Sequence, residues 1–289
     1  MAEGHLYKKF SSWWMQCINT CISLLKVVVK SRAVRNMPRT SHSKLLVLGT
    51  GPSFKTSLEK NFAYFQSHPV LVVNSFSVTD AYAKIRPAYY AMLDPGIWLG
   101  DIEVMNSTLK AIQENTSWPM VLFLPREAGQ SAKIKKLTNP NLTICYVNYV
   151  VFKGFPSIAY YFFRRHRAMP QSQNVLVASL FLGISVGFKR IELFGADHNW
   201  HQQLHIGDNN IVNLKHVHFY ENEAQLKLVP FWKMAHSKET FRMDEIFHAW
   251  AKVFYGYVFL QEYAKKVGTE IINRSEISFI DAFKREPFQ

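Results

Sequence analysis

Seven short apolar runs that lack the polar alternation of a half-solvated strand constrain this chain more than any other feature. They are KLLVLG (44–49), VLVVN (70–74), AYYAML (88–93), PMVLFL (119–124), TICYV (143–147), RIELFG (190–195) and TEIIN (269–273). A strand that is apolar on both faces must be covered on both, and helix-like stretches stand between several of the runs. NVLVASLFLGISVGF (174–188) is nearly all apolar and should be buried, whereas 243–268 is amphipathic and stops at Lys-Lys-Val-Gly. The expectation is an α/β fold, a mostly parallel sheet with helices on both faces. No internal repeat or low-complexity tract interrupts it.

In such a sheet a ligand sits outside the carboxyl ends of the strands. Four runs end there in small or polar residues: Gly49-Thr50-Gly51-Pro52-Ser53, Asn74-Ser75, Asp94-Pro95 and Gly195-Ala196-Asp197-His198. One such corner is an ordinary turn; four together point to a ligand crevice. The first, within LVLGTGPSFKTSLEKN (47–62), carries a strand through glycines into a helix-like stretch, as phosphate-binding corners do. It is neither a Walker loop, which needs Lys and Ser/Thr after a second glycine, nor G-x-G-x-x-G, whose third glycine is absent. The Ser53 hydroxyl and nearby backbone N–H groups are candidate phosphate donors. Asn74 and Asp94 offer directional groups for ribose or base, and Asn174, heading the 174–188 stretch, joins the candidate nucleotide-binding set.

At 289 residues and 48% hydrophobic, the chain can form one large domain, placed at 44–289. The region of about 199–240, rich in His, Asn, Trp and Phe, breaks the alternation and reads as a lid over the carboxyl edge. Residues 1–43 stand apart. YKKFSSWWMQCINTCISLLKVVVKSRAVR (7–35) puts Phe10, Trp13, Trp14, Cys17, Cys21, Leu24, Leu25 and Val28 at helical spacings. Lys8, Lys9, Lys26, Lys30, Arg32 and Arg35 bracket them. Gln16, Asn19, Thr20 and Ser23 make the segment too polar for a bilayer span of about 20 residues. Cations on both sides fit a cleaved signal peptide poorly. It reads either as an amphipathic helix in an anionic membrane interface or as an extra helix packed on the domain. NMPRTSHS (36–43) is the linker.

Thirty-four Lys and Arg against 21 Asp and Glu, a formal charge of +13, favour an anionic partner. No nucleic-acid-binding motif accompanies them, so FFRRHRAMP (162–170) reads as a solvated or membrane-facing surface and nucleic acid is not an expected partner. Three cysteines, Cys17, Cys21 and Cys145, form neither a disulfide scaffold nor a zinc ribbon and suit a reducing cytosol. The eleven histidines, among them His198, His201, His205, His216 and His218, lack the carboxylate and thiolate companions of a closed metal site. No metal is expected.

G-x-G-P-S at the first strand, V-N-S-F at the second, D-P at the third, and an apolar helix running into GFKRIELFGAD (187–197) recur here in order. In this the chain, over roughly residues 44–285, resembles the superfamily of bacterial lipooligosaccharide sialyltransferases, flagellin motility accessory factors and 6-hydroxymethylpterin diphosphokinase-like proteins. The sialyltransferases of that group have a single Rossmann-like domain with a lid and use CMP-sialic acid. The resemblance implies that Gly49, Thr50, Gly51, Ser53 and Asn74 contact the nucleotide donor. It implies that a histidine in the long helix after the lid is the general base; alignment on Phe259-Leu260 puts it at His248, with His236 as a rival. The third-strand position is commonly Asn there and is Asp94 here. Two tyrosines serve the departing phosphate in those enzymes. In GADHNWHQQL, Trp200 stands near the first place and no clear tyrosine near the second, Tyr220 lying further along. The donor sugar is therefore left open.

The reading that follows is a cytoplasmic glycosyltransferase, peripheral on the inner membrane face and serving surface-polysaccharide assembly. A CMP-activated sugar would pass to a glycan or lipid-linked acceptor with His248 as base and no required cofactor. Pro52, Ser75, Gly195, Asp197 and Trp200 complete the donor set. Two alternatives stand beside it. One is magnesium-dependent pyrophosphate transfer from ATP to a pterin-like alcohol, with Asp94 and Asp197 as carboxylates. The other is a nucleotide-binding module without chemistry. A homo-oligomer is compatible with all three.

Overall fold

The computed structural model describes residues 2–215, 228–233 and 239–287, the first eleven of them as backbone alone. Helix α1 (Ala2–Lys30) precedes β1 (Lys44–Leu48), α2 (Phe54–Lys60), α3 (Phe62–Gln66), β2 (Val70–Val73), α4 (Ala81–Ile85) and β3 (Tyr89–Ala91). Then come α5 (Gly96–Leu99), α6 (Glu103–Asn115), β4 (Met120–Pro125), α7 (Ala132–Lys135), β5 (Leu142–Val147), α8 (Pro156–Arg164), α9 (Val175–Val186) and β6 (Arg190–Phe194). The region expected as a lid holds β7 (Leu204–Ile206), β8 (Val212–Leu214) and β9 (Val229–Pro230); α10 (Met243–Val267), β10 (Glu270–Asn273) and β11 (Lys284–Arg285) follow.

Each of the seven apolar runs is a strand. With β11 they form one sheet in the order β11-β10-β6-β1-β2-β3-β4-β5, and every neighbouring pair is parallel. This is a Rossmann-like α/β fold. Alternate residues of each inner strand feed two separate cores. Leu45, Val47, Leu71 and Val73 join the cluster built with α8, α9 and α10, while Leu46, Leu48, Val70 and Val72 join the one built with α2, α4 and α6. That division is why the inner strands show no polar alternation. At the edge, β5 buries Cys145 and Val147 on one face and leaves Leu142, Ile144 and Tyr146 half-buried on the other.

Helix α9 is nearly all apolar because it is buried almost all round, from Leu176 to Ile184 and again at Val186, between the sheet and α10. Helix α10 is amphipathic and ends at Gly268 in the left-handed conformation (φ 73°), which accepts no ordinary side chain without strain. One charge is built into the sheet. Glu192 of β6 is buried and accepts hydrogen bonds from Arg190 Nε (2.9 Å), Tyr64 Oη (2.8 Å) and Arg274 (3.4 Å). Burial pushes its carboxyl up, but these bonds outweigh burial and hold it below the usual carboxylate range. The cluster ties β6 to α3 and to the segment after β10, holding the strand whose carboxyl end carries Gly195 and Asp197.

In the lid region, β7, β8 and β9 form a small antiparallel sheet, and Trp200–Gln203 form a single 3₁₀ turn leading into it. His216, His218, Tyr220 and His236 lie outside the described residues.

Candidate functional site

From β1 the chain builds β2 to β5 on one side of the sheet and returns with β6 on the other. The loops after β1 and β6 therefore diverge in their continuation, and such a reversal leaves a crevice at the carboxyl edge. Here the two loops are sewn together by backbone: Gly49 N donates to Phe194 O (2.8 Å) and Gly51 N to Gly195 O (2.9 Å). That contact requires glycine. A Cβ on Gly51 would lie 2.5 Å from Asp197 Oδ1 and 2.7 Å from Gly195 O.

Asp197 locks the corner. Ser53 N donates to its Oδ2 (2.9 Å) and Ser53 Oγ to its Oδ1 (2.5 Å), and both residues are buried. The donors expected to take a phosphate at a helix start are thus occupied by a carboxylate of the chain itself, and α2 behind them has only seven residues. Burial pushes the Asp197 carboxyl up by more than the Ser53 bonds pull it down.

A crevice of about 130 Å³ opens beside this corner. Thr50, Gly51, Pro52, Asn74, Asn174, Gly195, Asp197 and Trp200 all line it, together with His198, which ends the fourth corner, and Asn199 and Gln203, which were not in the expected set. Gly49 stands behind the lining, packed against Gly195 and Leu176. Ser75 is buried at the start of a 3₁₀ turn. Asp94 is exposed, outside the lining, and accepts from Gly96 N (2.7 Å), capping its own turn.

Asn74 adopts the left-handed conformation (φ 54°) that asparagine tolerates better than most residues. Its carbonyl accepts from Tyr90 Oη (2.5 Å), and its Nδ2 donates to Thr50 Oγ1 (3.3 Å), so the β1 and β2 corners share one hydrogen-bonded rim. Asn174 caps α9, its Oδ1 accepting from Leu176 N (2.7 Å). Asn174→Ala is expected to cost about 1 kcal/mol in a urea-unfolding comparison. An unchanged midpoint would mean that the cap contributes nothing.

The wall opposite the β1 corner is aromatic. The His198 ring stacks on Trp200 (centroids 4.2 Å), and Trp200 meets Trp250 of α10 (5.7 Å). His198 is buried at φ 52°, its Nε2 lies 2.8 Å from Tyr257 Oη, and burial pushes its pKa down to about 3. Nothing in the sequence joins His198 to Tyr257; only the docking of α10 does. His248 is exposed and does not line the crevice; Trp250, two residues further on, stands behind the lining and meets it only through the Trp200 ring.

A larger cavity, about 450 Å³, lies at the opposite, amino edge of the sheet and is lined by Arg35, Arg39, Arg164, His166 and Lys189 among others. The last turns of α8, α9 and α10 contribute to it, so its cations face carbonyl ends of helices, where positive side chains are stabilising without any ligand. Among the described residues, no three His, Cys, Asp or Glu side chains are grouped to hold a metal ion.

No family model matches the chain, and no curated protein does. Among solved structures, a UDP-glucose 4-epimerase from Thermotoga maritima aligns over 80% of this chain and 54% of its own, at 11% identity and a TM-score of 0.22. The MAf glycosyltransferase from Magnetospirillum magneticum AMB-1 aligns over 89% of this chain at 11% identity and a TM-score of 0.50. The chain thus shares its Rossmann-like α/β fold with a glycosyltransferase and spans 35% of that protein's length.

Proposed function

We propose that the chain is a glycosyltransferase that takes a nucleotide-activated sugar, CMP-linked, and passes it to a glycan or lipid-linked acceptor at the inner membrane face. The observation that carries this reading is the crevice between the β1 and β6 corners, which holds amide and hydroxyl groups of Thr50, Asn74 and Asn174 together with the stacked rings of His198 and Trp200, the latter backed by Trp250. Directional polar groups suit a ribose, and a flat aromatic face suits a base. The fold shared with a glycosyltransferase agrees with it.

In the reaction, an acceptor hydroxyl oxygen attacks the anomeric carbon while the bond from that carbon to the phosphate oxygen breaks. CMP leaves with the bonding electrons, and the acceptor's proton goes to His248. The Trp200 N–H is the donor nearest the leaving phosphate in this reading. At about 130 Å³ the crevice is smaller than the roughly 300–1,000 Å³ of ordinary ligand sites, so in this reading it widens when the donor binds. The carboxylates favour sugar transfer over the ATP alternative: Asp197 engages Ser53 with both oxygens and Asp94 caps its own turn, so neither is poised beside the other for magnesium.

The test is thermal unfolding with CMP, CDP, ATP and GTP, each with and without magnesium. CMP at about 100 times its Kd is expected to add about 2.7 kcal/mol, with or without magnesium, and Trp200→Ala to weaken that shift. Stabilisation by ATP only with magnesium, with CMP silent, would overturn the reading. CMP binding that survives His248→Ala, with turnover in neither protein, would support a binding module instead.

A further inference from the structure

Helix α1 is seated on the domain by its polar side. Ser23 Oγ donates to Lys153 O (3.0 Å) and accepts from Lys153 N (2.9 Å), and Thr20 Oγ1 accepts from Phe155 N (3.0 Å). At its end, Asn148 accepts from Arg32 N (3.0 Å) and donates to Arg32 O (2.7 Å). Gly154, at φ 115°, lets the backbones meet, since a Cβ there would collide with Thr20. Thr20, Ser23 and Val27 are buried in this contact.

The opposite side is apolar and open. Trp14, Ile18, Ile22, Leu25 and Val29 follow one another at intervals of four, four, three and four residues, which is a single stripe on a helix. They are 51, 49, 48, 65 and 60% exposed. A helix on a water-facing surface has the reverse arrangement, and a contiguous exposed apolar stripe marks a contact surface. Lys26 and Lys30 lie along one margin of the stripe, and residues 13–35 contain no acidic side chain. Lys252 and Lys26 stand close enough to Lys153 that, after burial, these two like charges push the Lys153 pKa down. A second copy meeting this face symmetrically would bring like charges together. An anionic lipid surface would not.

We propose that the outer face of α1 lies in the plane of an anionic bilayer, with the stripe in the headgroup–acyl boundary and Lys26 and Lys30 on lipid phosphates. Among the described residues no helix is long and apolar enough to cross a membrane, so the contact is in-plane. The placement stands on α1 alone and shares with the transferase reading only the location of the acceptor.

The full chain is sedimented with vesicles of phosphatidylcholine alone and of phosphatidylcholine mixed equally with phosphatidylglycerol. Binding is expected to the mixture, falling with salt. Leu25→Ser with Ile22→Ser should lower partitioning by about tenfold or more, and Lys26→Gln or Lys30→Gln by about fivefold each. These side chains are exposed, so the thermal midpoint and the CMP-induced shift should be kept; failure here with CMP binding intact sinks the lipid proposal and not the donor site. Absence of binding to the anionic vesicles overturns the proposal, as does equal partitioning of the serine variants. A dimer in light scattering that Leu25→Ser dissociates would assign the face to a second copy and also overturn it.

Discussion

Asp197→Ala is expected to destabilise the chain by about 3 kcal/mol, and Asp197→Asn by about 1 kcal/mol. Asp197 accepts from both Ser53 N and Ser53 Oγ inside the protein, and alanine would leave two buried donors without an acceptor. Each such orphan costs about 1–3 kcal/mol. The charge itself is not what stabilises: burial raises the Asp197 pKa despite both Ser53 bonds, so ionisation is disfavoured in the folded state. By sign, such a raised carboxyl contributes stability below its unfolded pKa and loses it as pH rises through the folded value. Asparagine removes the charge and keeps an acceptor, hence its smaller cost. The same lock holds the 49–53 loop against Gly195, so Asp197→Ala should also abolish the CMP-induced shift. Urea titrations of the three proteins check the order. Equal midpoints for alanine and asparagine would show that the hydrogen bonds do not hold the corner.

This lock also marks the limit of what the sequence discloses. The strands are legible because burial on two faces leaves a signal in the residues themselves, as in VLVVN and KLLVLG. The corners are legible as a set, because four strands end in polar residues on one sheet edge, and eight of the expected residues do line one crevice. What each does there is not legible. Gly51 looks like a phosphate loop because close backbone approach always selects glycine, yet the approach here is to Gly195 and Asp197. Ser53 looks like a phosphate donor because nothing in its neighbourhood announces an acceptor 144 residues away. The edge strand β11 and the lid sheet escape notice for another reason: two- and three-residue strands carry no periodicity. Helix α1 is legible as amphipathic but not as inverted. Its apolar set read from spacing includes Leu24, which packs against the core, while Thr20 and Ser23 turn inward because the 153–155 loop offers them backbone partners.

The second large effect is on acid stability. His198, stacked on Trp200 in the crevice wall, is buried with its pKa pushed down to about 3, so the folded state holds it neutral while the unfolded chain protonates it near 6.5. Between those values the unfolded state binds the extra proton, and stability must fall as pH falls. The slope is about 1.4 kcal/mol per pH unit for a fully effective group, so about 2 kcal/mol should be lost between pH 6.5 and pH 5 from this residue alone. Its αL backbone makes asparagine the replacement of choice, since asparagine tolerates φ near 52°. His198→Asn should be less stable at pH 7, having lost the stacking and the Tyr257 contact, yet flatter in acid. Thermal midpoints at pH 7, 6 and 5 for both proteins measure the two slopes; parallel slopes would move the acid sensitivity to other groups. The same environment bears on catalysis. An imidazole that protonates only near pH 3 is a poor acceptor for a sugar hydroxyl's proton at neutral pH, however well it lines the crevice. His198 is thus a wall and a hydrogen-bond partner, and the proposed transfer assigns the base elsewhere. In that proposal the base is His248, which is exposed on α10 outside the crevice lining, two residues before the Trp250 that packs on Trp200.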